Sequence, residues 1–237
     1  MSDKFIRQLK ELELELNETQ LQQFERYYEL LVEWNKVMNL TAITEYEEVY
    51  EKHFLDSLAI VKVEDINKVE SIIDIGTGAG FPGIPLKIAF PHLKVVLLDS
   101  LNKRINFLNT VIEELGLENV ETLHGRAEDY AKKAEYREQA DLCVSRAVAN
   151  LSTLSEYCLP YVKVDGKFIP YKSGEITIEA DEAKKAVGIL GGNVKKILKF
   201  HLPDSDITRS FVVIEKKKAT PKKYPRKAGL PSREPLK

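Results

Sequence analysis

The sequence predicts an α/β protein: a seven-stranded, mostly parallel sheet with an antiparallel last strand, preceded by helices. Three observations carry this. Ser71–Ile75 is a short β-branched apolar run, typical of a buried parallel strand, and it breaks directly into Gly76, Gly78 and Gly80. From there strand-like runs alternate with helical stretches, which means a parallel sheet covered on both faces. The last two strands are joined only by Pro203-Asp204-Ser205-Asp206, too short for a parallel crossover, so they pair as a hairpin.

Composition agrees. The chain has 237 residues, 43% hydrophobic and 30% charged, enough for one large α/β domain with or without a small cap. No apolar run approaches the ~18–20 residues of a membrane span, and the N-terminus lacks a secretory layout. Cys143 and Cys158 read as buried thiols of a reducing compartment, and the four histidines and two cysteines lack metal-ligand spacing. A cytoplasmic protein, without metal or membrane contact, is expected.

In chain order, residues 1–66 read as a helical cap. Asn17 and Gln20 form a capping box ahead of Leu21, Phe24, Tyr28 and Leu31 at helical spacing, and Trp34, Val37 and Leu40 continue the apolar set. A second box, Thr44 to Glu47, starts a helix through His53 and Asp56 to about Val61. Residues 67–215 form the sheet domain. Its expected strands are Ser71–Ile75, Lys94–Leu98, Asn119–Leu123, Ala140–Ser145, Gly166–Tyr171, Val194–His201 and Arg209–Glu215. The helices between them are Ile84–Phe90, Lys103–Leu115, Ala127–Lys133, Leu151–Tyr157 and about Ile176–Leu190. Pro170 falls within the fifth strand, where a strand end or an irregularity must accommodate it.

Residues 216–237 differ in kind. Nine basic residues stand against Glu234 alone, a charge of +8, which leaves −10 on the rest of a chain whose net charge is −2. With four prolines, this stretch reads as an extended basic arm for phosphates that serves RNA and leaves cofactor binding alone.

A strand that breaks into glycines and restarts as a helix brings bare backbone, and the free N–H groups of a first helical turn, to a nucleotide-type cofactor. Gly76-x-Gly78-x-Gly80 is the spacing of methyltransferases that bind S-adenosylmethionine (AdoMet), while Gly78-x-Gly80-x-x-Gly83 also matches the dinucleotide fingerprint. Asp74 favours AdoMet, because an acid there sits beside an ammonium and a sulfonium and would repel a pyrophosphate. Pro82 and Pro85 thin the donor array that a pyrophosphate needs. Asp99, at the end of the second strand about twenty residues past the loop, is placed for the ribose hydroxyls. Five parallel strands and an antiparallel pair then point to the Rossmann-like class I AdoMet-dependent methyltransferase fold.

Ligands of open α/β sheets bind beyond the carboxyl ends of the strands. The candidate cofactor residues are therefore Asp74, Gly76, Gly78, Gly80 and Phe81, then Asp99 and Ser100, then Ala127 and Glu128 beside the adenine, and Arg146. After the fourth strand, Ser145-Arg146-Ala147 is neither an amine-binding Asn/Asp-Pro-Pro-aromatic motif nor a cysteine nucleophile. The Arg146 fork suits a carboxylate, a phosphate or the O6/N7 edge of guanine, and orienting cofactor or guanine is its candidate catalytic role. His53 and Asp56, three apart on one helical face, fit substrate contact or cap placement better than catalysis. Lys172 after the fifth strand and Lys222, Lys223, Arg226 and Lys227 in the tail are the candidate RNA contacts.

The assembled segments resemble the RsmG family, also called GidB, the ribosomal RNA small-subunit methyltransferase G. They are Trp34-Asn-Lys-Val-Met-Asn-Leu-Thr-Ala42, His53-Phe-Leu-Asp-Ser-Leu58, Asp74 to Pro85, Leu98-Asp-Ser100, His124-Gly-Arg-Ala-Glu128, Ser145-Arg-Ala147 and Lys223 to Gly229. Residues 176–207 match only loosely. The resemblance implies AdoMet contacts at Gly76, Phe81, Ala127, Glu128 and Arg146. It implies 7-methylguanosine formation in the 530 loop of 16S rRNA, within the 30S subunit or a late precursor. Guanine N7 has an in-plane lone pair and no proton, so transfer needs no general base. The alternatives are a small-molecule methyltransferase and a non-catalytic RNA-binding or assembly protein on this fold.

Overall fold

The computed structural model describes residues 2–146 and 149–237. Met1 and Ala147, part of the stretches read above, lie outside the described residues. Seven strands form one sheet: β1 (Ser71–Ile75), β2 (Lys94–Asp99), β3 (Val120–His124), β4 (Ala140–Ser145), β5 (Val162–Ser173), β6 (Gly192–His201) and β7 (Thr208–Lys216). Their order is β3-β2-β1-β4-β5-β7-β6, and β7 runs antiparallel to both its neighbours. The order reverses between β1 and β4, which places the ligand crevice of this sheet type at the end of β1.

Pro170 lies inside β5, opposite Ser145 of β4. On the other side, the ladder to β7 pairs Phe168 with Ile214 and resumes at Tyr171 with Phe211 in the same register. The missing N–H thus costs a local gap in the ladder and no slip. Strand alternation splits the core in two. Ile72, Val95, Leu97, Val144 and Ile169 face one way, and Ile73, Ile75, Leu98, Cys143 and Phe168 the other.

The helices are α1 (Asp3–Glu11), α2 (Glu18–Met38), α3 (Tyr46–Val49), α4 (Asp56–Leu58), α5 (Gly83–Ala89), α6 (Asn102–Glu114), α7 (Ala127–Tyr130), α8 (Leu151–Cys158), α9 (Thr177–Ile189) and α10 (Leu230–Arg233). The box at Asn17 and Gln20 opens α2 as expected. The box expected at Thr44 does not form: Glu45 precedes α3 without a side-chain cap, and the Thr44 carbonyl accepts from the Tyr28 hydroxyl at 3.2 Å. A π-helical turn, Tyr50–Leu55, joins α3 to α4. Val37 does not continue the apolar set of α2; it is 80% exposed.

The N-terminal helices are less a separate cap than half of one layer. Phe5, Phe24, Tyr27 and Phe54 share a single core with Ile72, Val95 and Leu97 of the sheet. Tyr27 stacks on Phe54 at 5.3 Å and lies 5.4 Å from Phe81 in the glycine loop. Cys143 and Cys158 are buried free thiols on the opposite face.

The tail departs most from expectation, since residues 216–237 lie folded on the body. Lys216 is wholly buried at the end of β7. Its ammonium donates to the Leu159 and Val162 carbonyls and to the Thr220 hydroxyl, and pairs with Glu138 at 3.2 Å. Burial pulls its pKa down to about 8. Arg137 donates to the Thr220 and Tyr224 carbonyls. Arg226 forks onto both oxygens of Glu156, which is buried in α8. A basic stretch becomes ordered here because buried acids and carbonyls of the body receive it. Among the described residues, no helix is long and apolar enough to cross a membrane.

Candidate active site

A cavity of about 510 Å³ opens where the carboxyl ends of β1, β2 and β4 meet. The glycine loop forms its floor. Gly78 and Gly80 have φ of +63° and +101°, a region that L side chains rarely adopt. A Cβ on Gly78 would meet no protein atom within 4 Å, whereas one on Gly80 would come within 2.7 Å of the Tyr27 hydroxyl. That hydroxyl already donates to the Ala79 carbonyl at 2.5 Å, so α2 props the loop from below.

The loop differs from expectation in its donors. Gly76 N–H and Thr77 N–H both donate to the Leu98 carbonyl, Gly83 N–H to Asp74, and Ile84 N–H to the Gly80 carbonyl. The first turn of α5 therefore keeps no free N–H array for a pyrophosphate, which weighs against a dinucleotide. Asp74 also differs. It does not line the cavity; it is wholly buried beneath the loop, where its Oδ2 accepts from the Thr77 hydroxyl (2.8 Å) and Gly83 N–H (2.9 Å). Its Oδ1 has no partner among the described residues, and burial raises its pKa to about 7. Asp74 is therefore a brace for the loop, placed by strand alternation on the α5 face rather than the cavity side.

Gly76, Gly78, Phe81, Asp99, Ser100, Ala127, Glu128 and Arg146 do line the cavity, while Gly80 shapes the loop from behind. Asp99 is almost wholly buried. It accepts from Gly78 N–H and Leu101 N–H, each at 2.9 Å, and pairs with Arg104 at 3.1 Å. One carboxylate thus ties the glycine loop to the start of α6. Glu128 accepts at 2.8 Å from Gly229 N–H of the tail, so the tail backs the cavity wall.

Arg146 leaves the end of β4 and crosses to the cap. Its Nη1 donates to the Lys52 carbonyl (3.1 Å) and to Asp56 (3.2 Å), Nη2 lies 3.2 Å from His53 Nδ1, and the guanidinium sits 4.9 Å over the Phe81 ring. The His53 ring also stacks on Phe81, with ring centroids 4.6 Å apart. A guanidinium can only donate, so His53 Nδ1 accepts and Nε2–H donates to the Thr41 hydroxyl at 2.9 Å. The 3.1 Å approach of Nδ1 to the Lys52 carbonyl would favour the other tautomer, but the fixed cation decides the matter. Burial, and next Arg146, push the His53 pKa down to about 3. His53 is therefore neutral, with both ring nitrogens engaged.

The folded imidazole resists a proton that the unfolded chain accepts below about pH 6.5, so His53 makes the protein lose stability as pH falls from about 6.5 toward 3. In denaturant titrations, His53→Gln should be destabilised relative to the native sequence at pH 7, and that gap should narrow or reverse by pH 4.5. A constant gap would contradict the assignment.

Two candidate RNA contacts are engaged inside the fold. Lys172 donates to the Ala149 carbonyl and pairs with Glu179, both at 2.8 Å, and Arg226 holds Glu156. Lys222, Lys223 and Lys227 remain exposed. Sequence reading missed Arg104, Thr41 and Arg209, the last of which donates to Asp56 at 2.8 Å from 153 positions away. Only Arg104, one helical turn past Asp99, had a local signal.

Sheet order, glycine loop and cavity together define a class I AdoMet-dependent methyltransferase fold. Similar solved structures include M. jannaschii TYW2 in complex with AdoMet, with a TM-score of 0.53 and 16% identity, covering 73% of this chain and 77% of that one. Another is the Methanococcus jannaschii fibrillarin pre-rRNA processing protein, with a TM-score of 0.51 and 17% identity, covering 67% and 73%. At such identities the likeness is of fold alone. The chain belongs to the GidB family, rRNA small subunit methyltransferase G, whose model matches residues 20–208. Curated relatives agree along nearly the whole length. The ribosomal RNA small subunit methyltransferase G of Lachnoclostridium phytofermentans is 57% identical over 98% of this chain and 96% of its own. That of Exiguobacterium sibiricum is 52% identical over 98% of each.

Proposed function

We propose that this protein transfers a methyl group from AdoMet to N7 of a guanine in the 530 loop of 16S rRNA, in the 30S subunit or a late precursor. Family membership supports methylation of small-subunit rRNA. The cavity fits the cofactor: it offers open space over Gly78, the Asp99 carboxylate at the end of β2, and Ala127 with Glu128 on the far wall. AdoMet, when bound, supplies an electrophilic methyl group on a sulfonium.

The observation that carries the N7 reading is the state of the bases around the cavity. His53 is neutral and doubly engaged, Asp99 holds two N–H groups and Arg104, and Glu128 holds Gly229 N–H. None is poised to take a proton from a substrate, and guanine N7 has none to give. The chain's work is then to align N7 with the methyl carbon and exclude water, which can lower a barrier by roughly 7–11 kcal/mol at its best. Arg146 orients cofactor or base without donating to N7, whose lone pair faces the methyl carbon, and exposed Lys222, Lys223 and Lys227 contact flanking phosphates.

The test is transfer of labelled methyl from AdoMet to small ribosomal subunits from cells lacking this gene, followed by digestion and nucleoside separation. Label in 7-methylguanosine is expected, and label in any other nucleoside would refute the target atom. Asp99→Ala should weaken AdoMet binding by about 1–3 kcal/mol, through lost charge-assisted hydrogen bonds and a loosened Gly78. Calorimetry showing native affinity would remove Asp99 from the cofactor site.

A further inference from the structure

Thr41 stands on the wall of the cofactor cavity, beside Leu40 and His53. We infer that its hydroxyl donates to the carboxylate at the methionine end of AdoMet, and that the turn closing α2 holds it in place for this. The inference rests on the AdoMet reading above and adds a cofactor contact supplied by the N-terminal helical layer.

The hydrogen bonds around Thr41 fix the role of its hydroxyl. A threonine oxygen has two lone pairs to accept with and one O–H to donate. Oγ1 accepts from Ile43 N–H at 3.0 Å. It also accepts from His53 Nε2–H at 2.9 Å, in the tautomer that Arg146 imposes by donating to Nδ1 at 3.2 Å. Both lone pairs are in use, and the O–H can go to neither of these partners. Thr41 therefore serves the cavity as a donor.

Position selects the acceptor. With the ribose on Asp99 at the end of β2 and the adenine by Ala127 and Glu128 beyond β3, the methionine end falls to the part of the cavity over β1. Phe81 lies there, His53 stacks on it, and Thr41 is bonded to His53. Besides the sulfonium, the methionine end carries an ammonium, which only donates, and a carboxylate, which only accepts. A hydroxyl that must donate matches the carboxylate.

The donor is set before any ligand arrives. Asn39 ends α2 in the left-handed region, at φ +49°, and turns the chain back on itself. The Asn35 side chain can then accept from Thr41 N–H at 2.9 Å. With its backbone tied to α2 and its oxygen to Ile43 and His53, Thr41 has little freedom left to lose on binding.

The experiment compares S-adenosylhomocysteine with its decarboxylated form, by calorimetry on the full chain. The native protein should bind the carboxylate-bearing ligand about ten- to hundredfold more tightly, the worth of a hydrogen bond to a charged group. Thr41→Val should lower that ratio by about tenfold, and Thr41→Ser, which keeps the hydroxyl, should hold it near the native value. Valine also takes the acceptor from Ile43 N–H and His53 Nε2–H. Loosening of that kind weakens both ligands alike, so the ratio isolates the contact with the carboxylate. A native ratio near one, or a native ratio that survives Thr41→Val, overturns the inference. If the ratio behaves as expected in a protein that forms no 7-methylguanosine, the contact stands and the target-base reading falls. A native chain that binds neither ligand brings down the cofactor reading, and the contact with it.

Discussion

Arg226→Ala should lower thermal stability sharply and weaken AdoMet binding, although Arg226 touches neither cofactor nor cavity. Its fork neutralises Glu156, which has no exposed surface at all. Removing one partner of a buried ion pair leaves an uncompensated charge and costs about 3–5 kcal/mol. At about 2–4 °C per kcal/mol for a chain of this size, the melting temperature should drop by roughly 6–20 °C. The effect on cofactor follows along the chain: three residues on, Gly229 N–H holds Glu128 in the cavity wall, and the Thr153 hydroxyl of α8 donates to the Pro231 carbonyl. A tail released at Arg226 releases Glu128 as well. Adding Glu156→Gln should restore part of the stability, because it removes the stranded charge. Native melting and native AdoMet affinity in Arg226→Ala would show that the tail is the passive arm its composition suggests.

Gly80→Ala should abolish AdoMet binding, and it contrasts with Gly78→Ala, two residues away. At Gly80 the backbone φ of +101° already costs an L residue about 1–3 kcal/mol. The new Cβ would also stand 2.7 Å from Ile84 Cγ1, 2.7 Å from the Tyr27 hydroxyl and 3.0 Å from Leu108 Cδ2, all in close-packed core. Overpacking of that kind adds about 1–3 kcal/mol. Tyr27 cannot retreat, because it is wholly buried against Phe54 and bonded to the Ala79 carbonyl. At Gly78 a Cβ meets no protein atom, so Gly78→Ala should fold with only the backbone penalty and lose cofactor by filling the cavity floor. Melting curves with and without S-adenosylhomocysteine separate the two: Gly80→Ala melts low in both, and Gly78→Ala melts near normal but gains nothing from the ligand. A Gly80→Ala protein that melts and binds normally would refute the strut from α2.

Much of this was legible along the chain because the signals are local. The run Ser71–Ile75 and the glycines after it specify a strand and a turn that few residues can make, and Asn17 with Gln20 marks the start of α2 within four residues. Strand alternation and the short link at 203–206 determined the sheet and its antiparallel end. Strand ends and family segments marked Gly76, Gly78, Phe81, Asp99, Ser100, Ala127, Glu128 and Arg146, all of which line the cavity, whereas Asp74 and Gly80, marked with them, do not.

What the chain in isolation did not decide is where each charge goes. Asp74 reads as a cofactor acid, yet the pleat turns it under the loop to hold Thr77 and Gly83. Lys172, Lys216 and Arg226 read as cations for RNA, yet each meets an acid or a set of carbonyls inside the fold, as with Arg226 and Glu156, 70 positions apart. Asp56 gathers Arg146 and Arg209 from 90 and 153 positions away. Composition counts charges and periodicity orients side chains, but a partner at long range exists only once strands and helices are packed. Pairing of charges is therefore a property of the tertiary structure, because the desolvation that makes it strong arises only there.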